Sequence, residues 1–249
     1  SAAGVPDPAA PAPAPTPTPM TGDLEPVRAR VGAGLMIDNF LDMAHFPFIH
    51  AATIGTDEAA RVNGFRVERR GLGMTVRGEH PFPNHEDPLV AAGERPLIQR
   101  RRVTYTYVAP FSVELRIDYR DAGGTNVIAF HVQPEDDETC RLYTRITRDD
   151  LGGDEQRLAE AVAFEHKVLA EDLALQERYR DRRLPLDLPT EVHVKADLMT
   201  VELRRILSDL TERAAAGTLG TGGARATAAP SVDETERSRP TNNREMSRS

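Results

Sequence analysis

The chain has 249 residues, 39% of them apolar and 28% charged, with a net charge of −8, no tryptophan and one cysteine. A single thiol forms no intrachain disulfide, no cysteine-rich zinc site and no iron–sulfur cluster held by paired cysteines, so a disulfide-stapled secreted scaffold is excluded and the cytoplasm is the expected compartment. No run approaches the roughly 18 apolar residues that span a bilayer, the N-terminus lacks a signal-peptide pattern, and the acidic balance argues against nucleic acid as a partner.

In chain order, Ala-Pro and Thr-Pro alternate between Pro11 and Pro19, a composition of extended polyproline spacers, and residues 1–26 are expected to be a disordered Pro/Ala-rich linker. Gly32–Ile49, GAGLMIDNFLDMAHFPFI, is helix-length and apolar, with a break or kink expected at Phe46 because Pro47 follows it. From Val62 to Thr144 short runs rich in Val, Tyr, Phe and Thr alternate with turn residues: FRVERR, MTVRGEH, RRVTYTYV, FSVELRIDY, NVIAFHV and CRLYTRI. Such runs joined by short turns predict an antiparallel sheet, with the Arg100, Arg101, Arg102 cluster on a solvated strand edge. Gly153–Tyr179 reads as one long helix and Val201–Arg213 as a shorter one. From Ala215 onward large apolar residues almost vanish, predicting a disordered tail over 215–249. The remaining 27–214 form one α+β domain with its long helix packed on one face of the sheet.

The early helix carries a polar stripe on an apolar cylinder. Asn39, Asp42 and His45 recur every three residues and share a face, surrounded by Leu35, Met36, Ile37, Phe40, Leu41 and Met43. A helix so apolar is buried, and an unpaired carboxylate inside it costs several kcal/mol, on the order of the penalty for any isolated buried charge. His50 follows beyond Pro47, where a break lets a second imidazole swing back toward His45. In the late helix Ala161, Phe164, Val168, Asp172, Leu175 and Tyr179 form the inward stripe, which places Asp172 in the core; Glu171 falls with Lys167 and Arg178 on the expected solvated face. Two imidazoles and one carboxylate make the facial set of non-haem iron(II) oxygenases, and zinc hydrolases use the same donors, although the HExxH pattern is absent. A helix-grip protein that holds an apolar ligand without redox chemistry is a further alternative. Tyr105, Tyr107, Phe111, Phe130 and Tyr143 are divided by strand alternation between cavity and core. His131, His166 and His193 are expected to be structural or surface residues, and Cys140 a small strand residue.

Asn39-Phe-Leu-Asp42-Met-Ala-His45-Phe-Pro-Phe-Ile-His50 is similar to the N-x-x-D-x-x-H-x4-H signature of the catalytic domain of Rieske non-haem iron oxygenases, above all the vanillate O-demethylase and dicamba monooxygenase branch. Val168-Leu-Ala-Glu171-Asp172 resembles that family's Glu-Asp helix segment, and the resemblance extends over residues 33–213. It implies a helix-grip (Bet v1/START-like) fold, a curved antiparallel sheet with a long C-terminal helix. It implies His45, His50 and Asp172 as Fe(II) ligands, Asp42 as the carboxylate that hydrogen-bonds a ligand histidine and links to the cluster-bearing domain of a neighbouring subunit, and Asn39 as a catalytic-site asparagine near the iron. It further implies a homotrimer that hydroxylates or oxidatively O-demethylates a small apolar or aromatic substrate with O2. Electrons would come from a [2Fe–2S] cluster, supplied by NAD(P)H through a ferredoxin or reductase. The C-x-H and C-x-x-H pairs of a Rieske domain are absent here. The cluster is therefore expected on a domain upstream of Ser1 or on a separate polypeptide, unless the chain is a homologue that has lost turnover.

Overall fold

The computed structural model describes residues 18–51, 53–54, 62 and 64–218. Six strands fall where the sequence places them: β3 (Phe65–Arg70), β4 (Gly73–Pro83), β5 (Ile98–Val108), β6 (Ser112–Tyr119), β7 (Thr125–Pro134) and β8 (Cys140–Arg148). Two more precede them, β1 (Met20–Asp23) and β2 (Val27–Ala29), and both pair antiparallel with β8. The sheet order is β1-β8-β7-β6-β5-β4-β3, with β2 continuing along the β8 edge. Residues 20–23, read as linker, thus belong to the sheet, and Leu24 between the two strands is buried. Edge pairing with β8 captures a segment that has no strand-like alternation of its own. Gly22 makes this possible: a Cβ there would stand 2.6 Å from Val162 on the helix packed above it. Residues 1–17 and 219–249 lie outside the described residues.

Strand alternation gives the sheet one apolar face. On β6 Val113, Leu115, Ile117 and Tyr119 are buried, while Glu114 and Arg116 are exposed. Their cross-strand partners continue the face, Tyr105 opposite Leu115, Leu115 opposite Ile128, and Ile128 opposite Ile146. Helices cover that face. α1 (Ala33–Leu41) lies on β7, α4 (Glu155–Gln176) on β1, and α5 (Leu198–Ala215) on β3 and β4. The one-turn helices α2 (Phe46–Ile49) and α3 (Pro88–Ala91) complete the set. The predicted helix over 32–49 is therefore two helices, and the predicted Val201–Arg213 helix begins at Leu198. The long helix stops at Gln176, so Tyr179 leaves the expected inward stripe and is 42% exposed.

β5 runs between β4 and β6, so the Arg100–Arg102 segment does not form a strand edge. Arg100 and Arg102 point to solvent and pair with Asp121 and Glu79. Arg101 shares its side of the strand with the buried Val103, Tyr105 and Tyr107 and turns inward. Tyr107 and Phe130 are core residues, with the Tyr107 hydroxyl donating to Pro110 O at 2.8 Å and the Phe130 ring stacked on Phe40 at 4.7 Å. Tyr143 is 38% exposed. Cys140 is buried in its strand, and burial pushes its thiol up to about 12, which leaves it unreactive.

A buried ion pair ties α1 to α5. Arg204 donates to Asp38 at 2.6 Å and to Glu191 at 2.7 Å while only 4% exposed. Replacing Arg204 by Ala leaves Asp38 without its partner, and the expected loss is about 3–5 kcal/mol in denaturant unfolding, part of it recovered in the R204A/D38A double variant. A second titration involves His80 on β4. Burial and the neighbouring Arg101 lower its pKa from 6.5 to about 4, so the unfolded chain binds a proton that the folded chain refuses. This penalty is absent above pH 6.5 and grows as pH falls toward 4. Thermal unfolding from pH 4 to 7 should show a smaller acid loss of Tm in His80→Gln than in the parent chain.

Candidate metal centre

Local backbone chemistry brings the motif together. The Asp42 side chain accepts from Ala44 N at 2.7 Å, a local bond that competes with helix continuation, and Asp42 itself is extended at φ −85°, ψ 118°. The break therefore falls at Asp42 rather than at Pro47. Pro47 instead sits in the first turn of α2, where its missing N–H costs nothing. The single turn of α2 separates His45 from His50, and the latter's N–H closes the turn on Phe46 O at 3.0 Å. The two imidazoles consequently face each other.

His45 Nε2 lies 3.1 Å from His50 Nε2, and Asp172 Oδ1 lies 3.3 Å from the first and 3.1 Å from the second. Two ligands set at right angles on metal bonds of about 2.1 Å stand about 3.0 Å apart. The opposite ring nitrogens decide the tautomers. His45 Nδ1 is 3.2 Å from Asp42 Oδ2, and His50 Nδ1 is 2.8 Å from Glu171 Oε2. Ionised carboxylates only accept, so both protons reside on Nδ1 in the neutral rings and both Nε2 atoms present lone pairs to one point. Asp172 Oδ1, which faces the same point, is enclosed and without a hydrogen bond. Two lone pairs and one anionic oxygen converging in this way suit a divalent cation, and the three residues are the metal-binding group found among the described residues.

The electrostatics agree. Burial works against charge on His45, yet its contacts with Asp172 and Asp42 prevail and raise its pKa to about 9; His50 is also raised, again against burial, by Asp172 and Glu171. Burial raises Asp172, but His45, His50 and the Asn39 amide outweigh it and bring the carboxyl to about 2. The cluster thus holds its carboxylate ionised and attracts positive charge.

All five residues singled out from the sequence, Asn39, Asp42, His45, His50 and Asp172, meet here. Asn39 is an orienting group: it accepts from Gln176 Nε2 at 2.8 Å and turns its amide toward Asp172. Glu171 is misplaced by the sequence reading. Instead of facing solvent, it accepts from His50 Nδ1 and from Thr53 Oγ1, both at 2.8 Å. Adjacent helical residues differ by only about 100°, and the packing of α2 on α4 lets Glu171 reach inward beside Asp172. Thr53 and Gln176 were missed as well. The available signal was chemical, since a ligating imidazole needs an acceptor for its second nitrogen and His50 had none assigned.

The cluster forms part of the wall of a cavity of about 130 Å³ beneath α1, α2 and α4. Phe40, Met43, Phe46, Leu115, Ile117 and Ile128 make most of the wall apolar, and Arg101, Asn126 and Glu165 add a polar part. Tyr105 lines it too, whereas Phe111 packs on the core.

Residues 29–213 match the vanillate O-demethylase oxygenase C-terminal domain. The probable methylxanthine N7-demethylase NdmC of Pseudomonas sp. (strain TJI-51) is 28% identical over 186 residues, which are 74% of this chain and 63% of that protein. The methylxanthine N3-demethylase NdmB of Pseudomonas putida is 29% identical over 181 residues, 72% of this chain and 47% of that protein. Two solved structures share the fold. Pseudomonas putida CBB5 NdmA with caffeine superposes with a TM-score of 0.65 at 23% identity, over 80% of this chain and 54% of that one. Dicamba monooxygenase bound to dicamba superposes with a TM-score of 0.61 at 16% identity, over 82% and 61%. The chain therefore spans between 47% and 63% of the length of these proteins. On the match over residues 29–213, the chain belongs to the family of vanillate O-demethylase oxygenase C-terminal domains, the helix-grip catalytic domains of Rieske oxygenases.

Proposed function

We propose that residues 20–215 are the oxygen-activating domain of a Rieske-type monooxygenase, in which His45, His50 and Asp172 hold Fe(II). The observation that carries this reading is the meeting of His45 Nε2, His50 Nε2 and Asp172 Oδ1 within 3.3 Å of one another at a mostly apolar cavity. Iron bound there supplies the activation of O2 for hydroxylation or oxidative demethylation of a small aromatic substrate. The remaining parts are the protein's own. Asp42 and Glu171 fix the tautomers and ring orientations of the ligands, Asn39 and Gln176 orient Asp172, and the apolar wall excludes water from the reacting carbon.

Asp42 also supports the expected arrangement of partners. It bonds the ligand His45 while its side chain is 32% exposed, so it can link the site to a surface, here the cluster-bearing domain of a neighbouring subunit in a homotrimer. The [2Fe–2S] cluster of that domain is fed from NAD(P)H through a ferredoxin or reductase, and the assembly operates in the cytoplasm.

Anaerobic reconstitution followed by elemental analysis should give one Fe(II) per chain. His45→Ala and Asp172→Ala should abolish binding. Glu171→Gln keeps every ligand but removes the acceptor charge from His50, so iron affinity should fall about 10–100-fold rather than stay unchanged. Wild-type protein that takes up no metal would instead be a helix-grip binding protein without redox chemistry, and preferential zinc retention with reductant-independent hydrolysis would identify the hydrolase alternative.

A further inference from the structure

The ladder along β8 is interrupted between β1 and β2. β1 ends at Asp23 opposite Arg145, and β2 begins at Val27 opposite Leu142. Three residues, Leu24, Glu25 and Pro26, therefore face two, Tyr143 and Thr144, and the surplus residue bulges out of the ladder. Leu24 N keeps one bond, to Thr144 O at 3.0 Å. Glu25 N turns instead to His166 Nε2 on α4 at 3.3 Å, and Pro26 has no N–H to give. The backbone thus leaves a gap in the sheet edge, and the buried Leu24 side chain stands in it.

That gap lies between two spaces. Outside it is an open groove lined by Leu24, Pro26, Thr144, His131, Tyr143 and Arg145. Inside it is a cavity of about 50 Å³ walled by Leu24, Met36, Phe130, Thr144 and Leu169. Leu24 and Thr144 belong to both walls. The small cavity in turn shares Asn39, Phe40, Ile128, Glu165, Val168 and Asp172 with the larger cavity at the candidate metal centre. Adjoining spaces therefore run from solvent, past Leu24, to Asp172. They approach it from the β8 end of the sheet, whereas the larger cavity extends over β6 and β5 to Phe82 and Pro83 on β4.

Size and polarity select what can use this passage. An apolar cavity of about 150 Å³ holds a benzene ring, so a space of about 50 Å³ excludes a ring and admits a diatomic molecule. Water needs two to four polar partners, but Met36, Phe130, Leu169 and Leu24 offer none, and Asn39, Glu165 and Asp172 belong to the wall shared with the larger cavity. Dioxygen has no charge, no dipole and no hydrogen bonds to lose. Resting on the iron reading given above, we propose that the small cavity is a dioxygen-binding station, that the Leu24 gap is its entrance, and that the two form a gas route to Asp172 separate from the larger cavity. With an organic molecule in the larger cavity, dioxygen still reaches Asp172 from the β8 side.

Two measurements test the route: xenon pressurisation of crystals of the full chain, and stopped-flow mixing of the iron-reconstituted full chain with nitric oxide as a diatomic probe. Xenon should occupy the space between Leu24, Phe130 and Leu169. Leu169→Phe, which fills that space, should abolish the xenon site and slow nitric oxide association at least fivefold. Leu24→Ala, which widens the entrance, should speed association at least twofold, and both variants should retain one Fe(II) per chain. If Leu169→Phe does not fold, the xenon site of the parent chain and the rate in Leu24→Ala decide. Ordered water in place of xenon, or equal association rates in parent and variants at full iron loading, would overturn the proposal. The xenon measurement needs no metal, so a small cavity that takes no xenon in an iron-loaded chain sinks this inference alone, and a parent chain that binds no iron sinks the reading of the site.

Discussion

His45 Nε2, His50 Nε2 and Asp172 Oδ1 stand within 3.3 Å of one another, and holding these three atoms together is the constraint around which this fold is arranged. Each ring is fixed from behind: Asp42 accepts from His45, and Glu171 accepts from His50 while also taking a bond from Thr53. Without those acceptors either proton could move to Nε2 and the ligand would be lost. On the proposed reading the carboxylates would act on a bound metal through the imidazoles, by deciding which nitrogen is free.

Those acceptors are placed by packing rather than by local sequence. Asp42 is local to the motif, but Glu171 arrives on α4, more than a hundred residues later, and its position depends on how α4 and α2 meet. The Arg204 pair with Asp38 holds α1, whose end carries the motif, against α5. Gln176, in the last turn of α4, reaches Asn39 on α1. Polar contacts thus register α1 against both long helices, where apolar contacts alone would allow sliding.

The three residues of the candidate centre were legible because each carries a local signature. His45 and His50 stand at fixed offsets from Asn39 and Asp42 on an anomalously apolar segment, and Asp172 sits in the phase of an apolar helical stripe. Glu171 was not legible, because helical phase alone places it 100° from Asp172 and says nothing of a second helix waiting there. β1 was not legible either. Met20–Asp23 has no alternation, and it becomes a strand only because β8 offers an open edge and Gly22 admits Val162. Arg101 is the instructive intermediate case: the phase of Val103, Tyr105 and Tyr107 already turned it inward, but its charged neighbours Arg100 and Arg102 masked that phase.

The division between helices and sheet has a chemical consequence. Every donor at the candidate metal point comes from the α1–α2 segment or from α4, and none from the sheet. Much of the cavity floor is made by side chains from β4 to β7, and among the described residues the hydrogen bonds of His45 and His50 run to Asp42 and Glu171 rather than to the sheet. A change on β5 can therefore alter what the cavity holds without disturbing the tautomers that Asp42 and Glu171 impose. Conversely, a shift of α4 moves Glu165, Val168 and Asp172 together, so the helix couples the carboxylate of the candidate metal centre to the Glu165 carboxyl on the cavity wall. Metal affinity and ligand selectivity are separable on the sheet and inseparable on the gripping helix.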